Sequence, residues 1–351
     1  MFHLLYYRDL TMIYQRVSIE KFGGPEVLKV LEEKTLPEPQ EGQVRIKVLY
    51  TSANFTDVMI RKGKYPDVNE KPPFSPGYDM VGIVDKPGPG TNKFEVGQRV
   101  ADMPVIGAYS EYICLPEENL IPVPEDLDSA EAVSLILSFV TAYQMLHRIA
   151  KIEQGQCILV HGASGAVGTA FLQLGKLQGL EVYGTASKQN HELVSDLGAI
   201  PIDYSNEDFV KRIQNLTGEG VDAVFDPIGG KHFNRSFKCL KPGGKLVAFG
   251  FYNAVMGRVG NAIVDFIKLF FWNILPNKRK TKFYSIGSLR EKHPDWFKQD
   301  LQTLFKLLKE GQIKPVIADH YPLQKAKKVH KLIESKSLRG KIIFDLANRK
   351  R

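Results

Sequence analysis

The sequence predicts an α/β protein in which a doubly wound parallel sheet is joined to a second, β-rich barrel domain. Short strand-like runs with β-branched residues fill the chain from Tyr14 to about residue 125, and strand and helix patterns alternate after about residue 150. At the start of the second region, LVHGASGAVG at 159–168 indicates a glycine-rich turn from a strand into a helix. Such alternation is typical of a parallel sheet with helices on both faces.

Length and composition agree with two soluble domains. The chain has 351 residues, of which 43% are hydrophobic and 25% charged, a balance close to that of ordinary globular proteins. Lys and Arg outnumber Asp and Glu by 47 to 39, which gives a net charge of +8. This excess favours anionic partners such as cofactor phosphates, and no nucleic-acid partner is expected from charge alone.

Cysteine usage and the apolar segments predict a cytoplasmic location. Cys114, Cys157 and Cys239 lie far apart and form neither a disulfide framework nor a CxxC pair. The first residues show no secretory signal pattern, and Met12 is an alternative start. The apolar run at 263–275 is interrupted by charges and is shorter than the roughly 20 residues of a membrane-spanning helix, so it is not expected to cross a membrane.

The change from short strand-like runs to alternating strand and helix patterns predicts where the domains begin and end. The β-rich domain is predicted over 13–135 and 312–351, and the Rossmann domain over 136–311 with an insertion at 253–282. A helix is expected from Asp128 or Ser129, either of which suits an N-cap, to about residue 150. FYSIG at 283–287 is expected to form a sixth strand of the Rossmann sheet.

The glycine-rich turn is a candidate dinucleotide site. Gly165 and Gly168 stand at AxGxxG spacing between a strand and a helix, where glycines let the backbone approach a pyrophosphate and the helix N-terminus offers free N–H groups. A tight turn without a ligand is the alternative. The predicted cofactor contacts here are Ser164, Gly165, Ala166, Val167 and Gly168.

The end of the next strand favours NADP(H) over NAD(H). An NAD site usually places an acidic residue there to bind the adenosine ribose hydroxyls, whereas EVYGTASK offers Thr185, Ser187 and Lys188. Hydroxyl and ammonium donors suit a dianionic 2′-phosphate. Lys188 as a solvated lysine at a helix start is the alternative interpretation.

The chain resembles the medium-chain dehydrogenase/reductase superfamily over nearly its whole length. The resemblance rests on the β-rich and the alternating strand–helix domains, on their order in the chain and on the GASGAVG motif. This resemblance implies that the β-rich domain is GroES-like. Well-known members hold a catalytic zinc through two cysteines and the histidine of a GHE motif. Here the corresponding positions carry Asn54, Tyr78 and Leu137, and the four-cysteine structural zinc lobe is missing. Loss of thiolate and imidazole ligands implies that the chain works without zinc, and no metal-ligating residues are predicted.

The chain resembles the zinc-less quinone oxidoreductase, or zeta-crystallin, branch of that superfamily in three motifs: NFTDVMIRKGKYP, GTASK and DPIGG. Its insertion at 253–282 is similar to the vesicle amine transport protein group within that branch. The resemblance implies an NADPH-dependent reductase of quinones or α,β-unsaturated carbonyls. It also implies a homodimer formed by the edges of the cofactor-domain sheets.

The same resemblance implies residues at the nicotinamide end of the site. Asn54 and Tyr65 are the catalytic candidates, and Asn54 is also a cofactor contact. Thr141 matches a family residue near the nicotinamide. Each has a structural alternative: a turn-forming asparagine, a packed tyrosine and a helix back-bond, respectively.

Further cofactor contacts are expected at the ends of later strands. Tyr204 ends the third Rossmann strand and resembles a residue that stacks near the adenine. Phe249 and Tyr252 follow the fifth strand at the carboxyl edge, where doubly wound sheets bind ligands, although Phe249 could equally belong to the core. A late basic residue, Lys336 or Arg339, lies near a family position that can approach the cofactor.

The remaining polar residues are predicted to be structural. Asp57 is expected to orient its loop, and Tyr78 to pack. None of the eight histidines has another at metal-ligand spacing with an acid or thiol nearby, and His161 is expected to be a satisfied core histidine.

An alternative function rests on the insertion. Its apolar segment, followed by NKRKTK at 277–282, predicts peripheral membrane contact through 262–282 in a nucleotide-binding trafficking protein with little catalytic activity. A lid or dimer-contact helix with a solvated basic loop explains the same stretch.

Overall fold

A computed structural model gives the fold, and it describes residues 13–257, 261–274, 276, 278–335 and 338–347. The chain forms two compact units, which comprise, among the described residues, 13–123, 321–331 and 343–347, and 124–320 and 332–342. The division falls near residue 123, whereas the sequence predicts it at 135, because the helical segment Ser129–Ala150 lies wholly in the second unit. Met12 lies outside the described residues.

The first unit is built around a long central strand, β3. The strands of residues 13–123 are β1 (Tyr14–Ile19), β2 (Leu28–Glu33), β3 (Gln43–Ala53), β4 (Met80–Pro87), β5 (Arg99–Asp102), β6 (Tyr112–Pro116) and β7 (Ile121–Pro122). β3 pairs antiparallel with β4 and β6, and the path continues from β4 through β5 to β7. These pairings confirm the β-rich domain.

One α-helix of this unit, Phe55–Arg61, follows β3 directly. Asn54 is its N-cap, and a capping box joins Asn54 and Asp57. Two orphan N–H groups of the helix end are satisfied in this way. Short 3₁₀ turns lie at Pro25–Val27, Glu117–Asn119 and Leu323–Lys325.

The second unit contains a six-stranded parallel sheet. Its strands are β8 (Cys157–His161), β9 (Glu181–Ala186), β10 (Ile200–Asp203), β11 (Val221–Asp226), β12 (Leu240–Ala248) and β13 (Lys280–Phe283), and their spatial order is β10-β9-β8-β11-β12-β13. Counted from β8, this is the order 3-2-1-4-5-6 of the dinucleotide-binding fold. The predicted doubly wound sheet is therefore confirmed.

Helices cover this sheet and continue after it. They are Ala166–Leu177, His191–Asp196, Phe209–Thr217, Lys231–Lys238, Tyr252–Val255, Ala262–Trp272, Ile286–Lys292 and Pro294–Lys309. The last elements of the chain are β14 (Ile317–Tyr321), the helix Ala326–Glu334 and β15 (Lys341–Asp345). The core of the second unit includes Leu159, Val224 and Leu246 from strands and Phe209 and Phe233 from helices.

Two local predictions can be compared with these bounds. The Asp128 carboxylate accepts hydrogen bonds from the N–H groups of Ala130 and Glu131, so Asp128 is the N-cap of the helix that begins at Ser129. The predicted sixth strand at 283–287 is wrong in its position, because β13 already ends at Phe283. The Ser285 side chain then caps a helix from Ile286, which ends the extended backbone.

The helical segment Ser129–Ala150 is the one candidate membrane span among the described residues. It comprises 22 residues and is apolar enough to cross a bilayer, but 89% of its apolar window is buried inside the protein. A buried core helix meets the same criterion, so the segment is weak evidence for a membrane span.

Candidate functional site

The glycine turn after β8 holds a conformation that a side chain would obstruct. Gly162 has φ +70°, and the N–H of Gly165 donates to the Gly162 carbonyl at 3.0 Å. A Cβ atom on Gly168 would lie 2.3 Å from the Gly162 oxygen, whereas one on Gly165 would meet it at 3.4 Å. Gly165 is the N-cap of the helix Ala166–Leu177, so the first N–H groups of that helix open beside the turn.

Thr185 supports this turn from the neighbouring strand. Its backbone oxygen accepts the N–H of Ala163 at 3.0 Å, and its hydroxyl lies 3.0 Å from His161 Nδ1. The side chain is buried. Its hydroxyl is therefore held inside the turn, and of the residues in GTASK, Ser187 and Lys188 lie at the more exposed positions.

Asn190 joins the glycine turn to the end of β9. Its side-chain amide donates to Ser164 Oγ at 3.0 Å and to Ser187 Oγ at 3.2 Å. Ser187 stands at the N-cap position of the 3₁₀ turn Lys188–Asn190, which carries the exposed Lys188. Three of the predicted cofactor residues thus lie at one edge of the sheet, brought together by an asparagine that sequence analysis did not single out.

Arg339 completes this cluster from a distant part of the chain. Its Nε donates to Asn190 Oδ1 at 2.8 Å, and one terminal nitrogen donates to the Gln189 carbonyl at 2.6 Å. The N–H of the next residue, Gly340, donates to the Ser164 carbonyl at 2.9 Å. Of the two late basic candidates, Arg339 therefore lies at the site, while Lys336 lies outside the described residues. We call Ser164, Ser187, Lys188, Asn190 and Arg339 the polar cluster.

The remaining predicted cofactor residues lie along the same sheet edge or near it. Tyr204 follows β10 and is half exposed, and β10 pairs with β9 so that Asp203 is beside Ala186. On the other side of β8, Phe249 and Tyr252 follow β12, and their N–H groups donate to the carbonyls of Asp226 and Pro227. Thr141 is buried in the helical segment Ser129–Ala150.

In the first unit, Asn54 is fixed by its neighbours. Its side-chain amide donates to the Ser52 carbonyl and to Ser52 Oγ, each at 3.1 Å. The hydroxyl and N–H of Ser52 in turn bond to the buried carboxylate of Asp79. Asn54 is predicted from the sequence as a polar site residue or, alternatively, as a turn-forming asparagine, and the structure places it as a helix N-cap, a placement that is compatible with a polar site role.

Asp57 connects Asn54 to the loop that carries Tyr78. One carboxylate oxygen accepts the N–H of Asn54 at 2.8 Å and the hydroxyl of Tyr109 at 3.2 Å. The other accepts the N–H of Gly77 at 3.2 Å. Asp57 is fully buried, so these bonds match the loop-orienting role predicted for it.

Tyr65 and Tyr78 form a hydroxyl pair. Their oxygens are 2.5 Å apart, and their rings meet edge to face with centroids 5.6 Å apart. Burial raises the pKa of Tyr65 to about 12, so its phenol keeps its proton at neutral pH. Tyr78 is fully buried, as its predicted packing role requires. Its hydroxyl also forms a hydrogen bond with Tyr65, one of the two catalytic candidates.

Family models match both units. The alcohol dehydrogenase GroES-like domain model covers residues 40–125, and a model described as zinc-binding dehydrogenase covers residues 197–344.

Individual relatives match nearly the whole chain. The mouse synaptic vesicle membrane protein VAT-1 homolog-like is 32% identical over 341 residues, which cover 94% of this chain and 81% of the relative. The rat quinone oxidoreductase is 32% identical over 341 residues, which cover 95% of this chain and 98% of that protein.

Solved structures give the same two groups. The human VAT-1 homolog-like protein superposes with a TM-score of 0.80 at 30% identity, covering 96% of this chain and 99% of the other. The Escherichia coli quinone oxidoreductase, solved in complex with NADPH, gives a TM-score of 0.83 at 28% identity, covering 94% of this chain and 99% of the other.

The family description implies a catalytic zinc, and the residues at the expected ligand positions do not fit one. Asn54 offers an amide whose nitrogen donates a hydrogen bond to Ser52. Tyr78 offers a phenol that is hydrogen-bonded to Tyr65, and Leu137 offers only a buried aliphatic side chain. Protein zinc sites use thiolate, imidazole and carboxylate ligands.

The fold order, the glycine turn, the polar cluster and the full-length relatives lead to one conclusion. The chain belongs to the quinone oxidoreductase branch of the medium-chain dehydrogenase/reductase superfamily, an oxidoreductase family to which the VAT-1 homologues are also similar.

Proposed function

We propose that the protein is an NADPH-dependent reductase that transfers a hydride to a quinone or an α,β-unsaturated carbonyl without a metal ion. The polar cluster is the observation that carries this proposal. It places Ser187, Lys188 and Arg339 where an NAD enzyme usually keeps an acidic residue. A basic, hydroxyl-lined end of β9 suits the 2′-phosphate of NADP(H).

The turn residues suit the rest of the dinucleotide. The pyrophosphate would lie against the backbone of Gly165 and Gly168, which have no Cβ atom, and at the N-terminus of the helix Ala166–Leu177. Ser164, Ala166 and Val167 belong to the same turn. Tyr204 would lie against the adenine and Thr141 near the nicotinamide, as the resemblance implies. Phe249 and Tyr252 would contact the cofactor at the carboxyl edge of the sheet. When bound, NADPH supplies the hydride, and the protein supplies its position.

The first unit would supply the groups that handle the acceptor. Asn54 cannot titrate, and its hydrogen-bonded amide is held rigidly at a helix N-terminus, where it could orient the acceptor or cofactor. The hydroxyl of Tyr65 keeps its proton at neutral pH and can donate a hydrogen bond to the acceptor oxygen on which negative charge develops. Reduction then requires one hydride and one proton, the latter from Tyr65 or from solvent.

A direct test follows NADPH oxidation across a panel of quinones and enones, with NADH in parallel and with and without a chelator. We expect turnover with NADPH, weak turnover with NADH, and no loss on chelation. Tight NADPH binding without turnover of any acceptor would overturn the reductase proposal.

A second candidate function, peripheral membrane binding, is favoured by the outer face of the helix Ala262–Trp272. Leu269 and Asp265 anchor the helix to the second unit, whereas Ile263, Phe270 and Phe271 are 70%, 67% and 59% exposed. The exposed Lys278, Lys280 and Lys282 follow closely. An apolar face beside basic residues suits an anionic membrane surface, and VAT-1 relatives carry synaptic vesicle membrane protein in their names.

Vesicle co-sedimentation separates this candidate from a lid or dimer-contact role. We expect the chain to sediment with vesicles that contain phosphatidylserine and to lose this binding when Phe270 and Phe271 are changed to Asp. Leu177→Asp, at a 45% exposed position on another helix of the same unit, is the matched control. Equal sedimentation of all three proteins would contradict membrane contact through this helix.

We further propose a homodimer in the cytoplasm. β13 is an edge strand of the parallel sheet, and an open strand edge can pair with a second copy. Light scattering coupled to size exclusion would give twice the chain mass of 39.5 kDa if this is correct.

A further inference from the structure

Two histidines and an aspartate that are far apart in sequence meet under the glycine turn of the second unit. His161 ends β8, Asp226 ends the adjacent parallel strand β11, and His232 lies in the first turn of the helix Lys231–Lys238. One ligand atom from each residue lies within 4.8 Å of the other two. The cluster corrects the expectation that no two histidines share an acid, because parallel pairing and the βα turn bring the three segments together.

Hydrogen bonds already orient the ligand atoms. Nδ1 of His161 is 3.0 Å from Thr185 Oγ1, which leaves Nε2 facing the cluster. Oδ1 of Asp226 accepts the N–H of Ile228 at 2.7 Å, which leaves Oδ2, 2.8 Å from Nδ1 of His232. Metal-ligating histidines and carboxylates are usually held by such outer contacts.

Ser236 gives the cluster a fourth polar atom, its hydroxyl oxygen. Its hydroxyl lies 3.0 Å from His161 Nε2, 2.6 Å from Asp226 Oδ2 and 3.4 Å from His232 Nδ1. Ligands bound tetrahedrally at about 2.0–2.2 Å are roughly 3.3–3.6 Å from one another. The separations from Ser236 and between Asp226 and His232, 2.6–3.4 Å, are close to or below that spacing, so outward movements of these side chains would admit an ion.

The charges of the cluster also suit a cation. Asp226 is a fully buried carboxylate in contact with His232 and Ser236, and a bound cation would compensate the cost of burying its charge. The side chain of His232 is 17% exposed and gives an entry from solvent.

We propose that His161, Asp226 and His232 form a binding site for a divalent transition-metal ion of the zinc or cobalt class. It is built from other residues than Asn54, Tyr78 and Leu137, the positions at which the superfamily resemblance implies a catalytic zinc. The ion would tie the ends of β8 and β11 to the following helix and so brace the strand from which the glycine turn starts.

The test uses the full-length, tag-free chain after treatment with a chelator and its removal. We expect Zn²⁺ titration to show one ion per chain and a rise in the melting temperature. Co²⁺ should give visible absorption bands of a nitrogen- and oxygen-ligated ion that Zn²⁺ then displaces.

Three variants locate the ion. His232→Gln, at the partly exposed ligand, should weaken Zn²⁺ binding at least about tenfold and abolish the Co²⁺ bands while the chain still folds, as circular dichroism would show. Asp226→Asn should do the same, and His320→Gln, at an exposed histidine elsewhere in the second unit, should change nothing. Absence of saturable binding, or binding that His232→Gln leaves unchanged, would show a hydrogen-bonded network only and overturn the proposal.

Discussion

Arg339 donates a hydrogen bond from Nε to the side-chain oxygen of Asn190 at 2.8 Å, across a sequence separation of 149 residues. Because Asn190 also holds Ser164 and Ser187, this contact fixes a cation beside both the glycine turn and the end of β9. The polar cluster is thus assembled within the second unit itself.

Changing Arg339 to Ala should selectively weaken the use of NADPH. Removal of a charge-assisted contact to a phosphate costs about 1.5–3 kcal/mol, so KM for NADPH should rise roughly tenfold or more while KM for NADH changes little. Steady-state kinetics with both cofactors measure this. Arg212→Ala, which removes a half-exposed arginine paired with Glu207, is the control and should leave both values unchanged. An equal loss with NADH would refute the phosphate assignment.

The two glycines of the turn should respond differently to alanine. A Cβ atom on Gly168 would lie 2.3 Å from the Gly162 oxygen, so Gly168→Ala should lower the melting temperature and solubility. Gly165→Ala meets that oxygen only at 3.4 Å and should fold normally, yet lose cofactor affinity because its methyl group would occupy space reserved for the pyrophosphate. Thermal unfolding and fluorescence titration with NADPH separate the two effects. Full cofactor affinity in Gly165→Ala would argue for a turn without a ligand.

Tyr65→Phe should lower kcat by about 100-fold if its phenol delivers the proton, the lower end of the usual contribution of a general acid. Tyr78→Phe keeps that phenol and removes its 2.5 Å partner, so we expect a smaller loss of kcat together with reduced stability. Activity and unfolding measurements on both variants give the comparison. If Tyr65→Phe retains full kcat with a slow acceptor, solvent supplies the proton and Tyr65 only packs.

Stability should fall on acidification below about pH 6.5. Burial lowers the pKa of His161 and of His330 to about 3, whereas unfolding restores their usual value of about 6.5. The unfolded chain therefore binds more protons between these values, and stability present above pH 6.5 is lost progressively as the pH falls toward 3. His330 lies 3.1 Å from the buried guanidinium of Arg61, which further disfavours its protonation.

Melting temperatures measured from pH 4 to pH 8 test this dependence. His330→Gln keeps an acceptor for Arg61 and removes one titrating group, so its melting temperature should depend less steeply on pH. His320→Gln, at an exposed position, should follow the wild-type curve. Identical slopes for all three proteins would contradict the assignment.

The fold was largely predictable because its determinants are local. Alternating strand and helix patterns, the glycine spacing and the cap at Asp128 each act over a few residues, and all appear in the structure. The error at 283–287 arose because the aromatic and β-branched residues there are typical of a strand. The Ser285 side chain instead accepts the N–H of Ser288 and so caps a helix that begins at Ile286.

The site was predictable only in part, because many of its contacts join segments that are far apart in sequence. Ser164 and Ser187 belong to short motifs, but the role of Asn190 depends on a turn geometry that places its amide between them. Arg339 and the His161, Asp226 and His232 cluster depend on segments brought together by strand order. Thr185 shows the opposite case, since its motif suggested a phosphate contact and its burial directs the hydroxyl to His161.

The rate of NADPH oxidation with quinone and enone acceptors, compared with the rate for NADH, tests the central proposal most directly. We predict acceptor-dependent oxidation of NADPH that greatly exceeds that of NADH and persists after treatment with a chelator. Tight NADPH binding with no oxidation by any acceptor, or a preference for NADH, would contradict it.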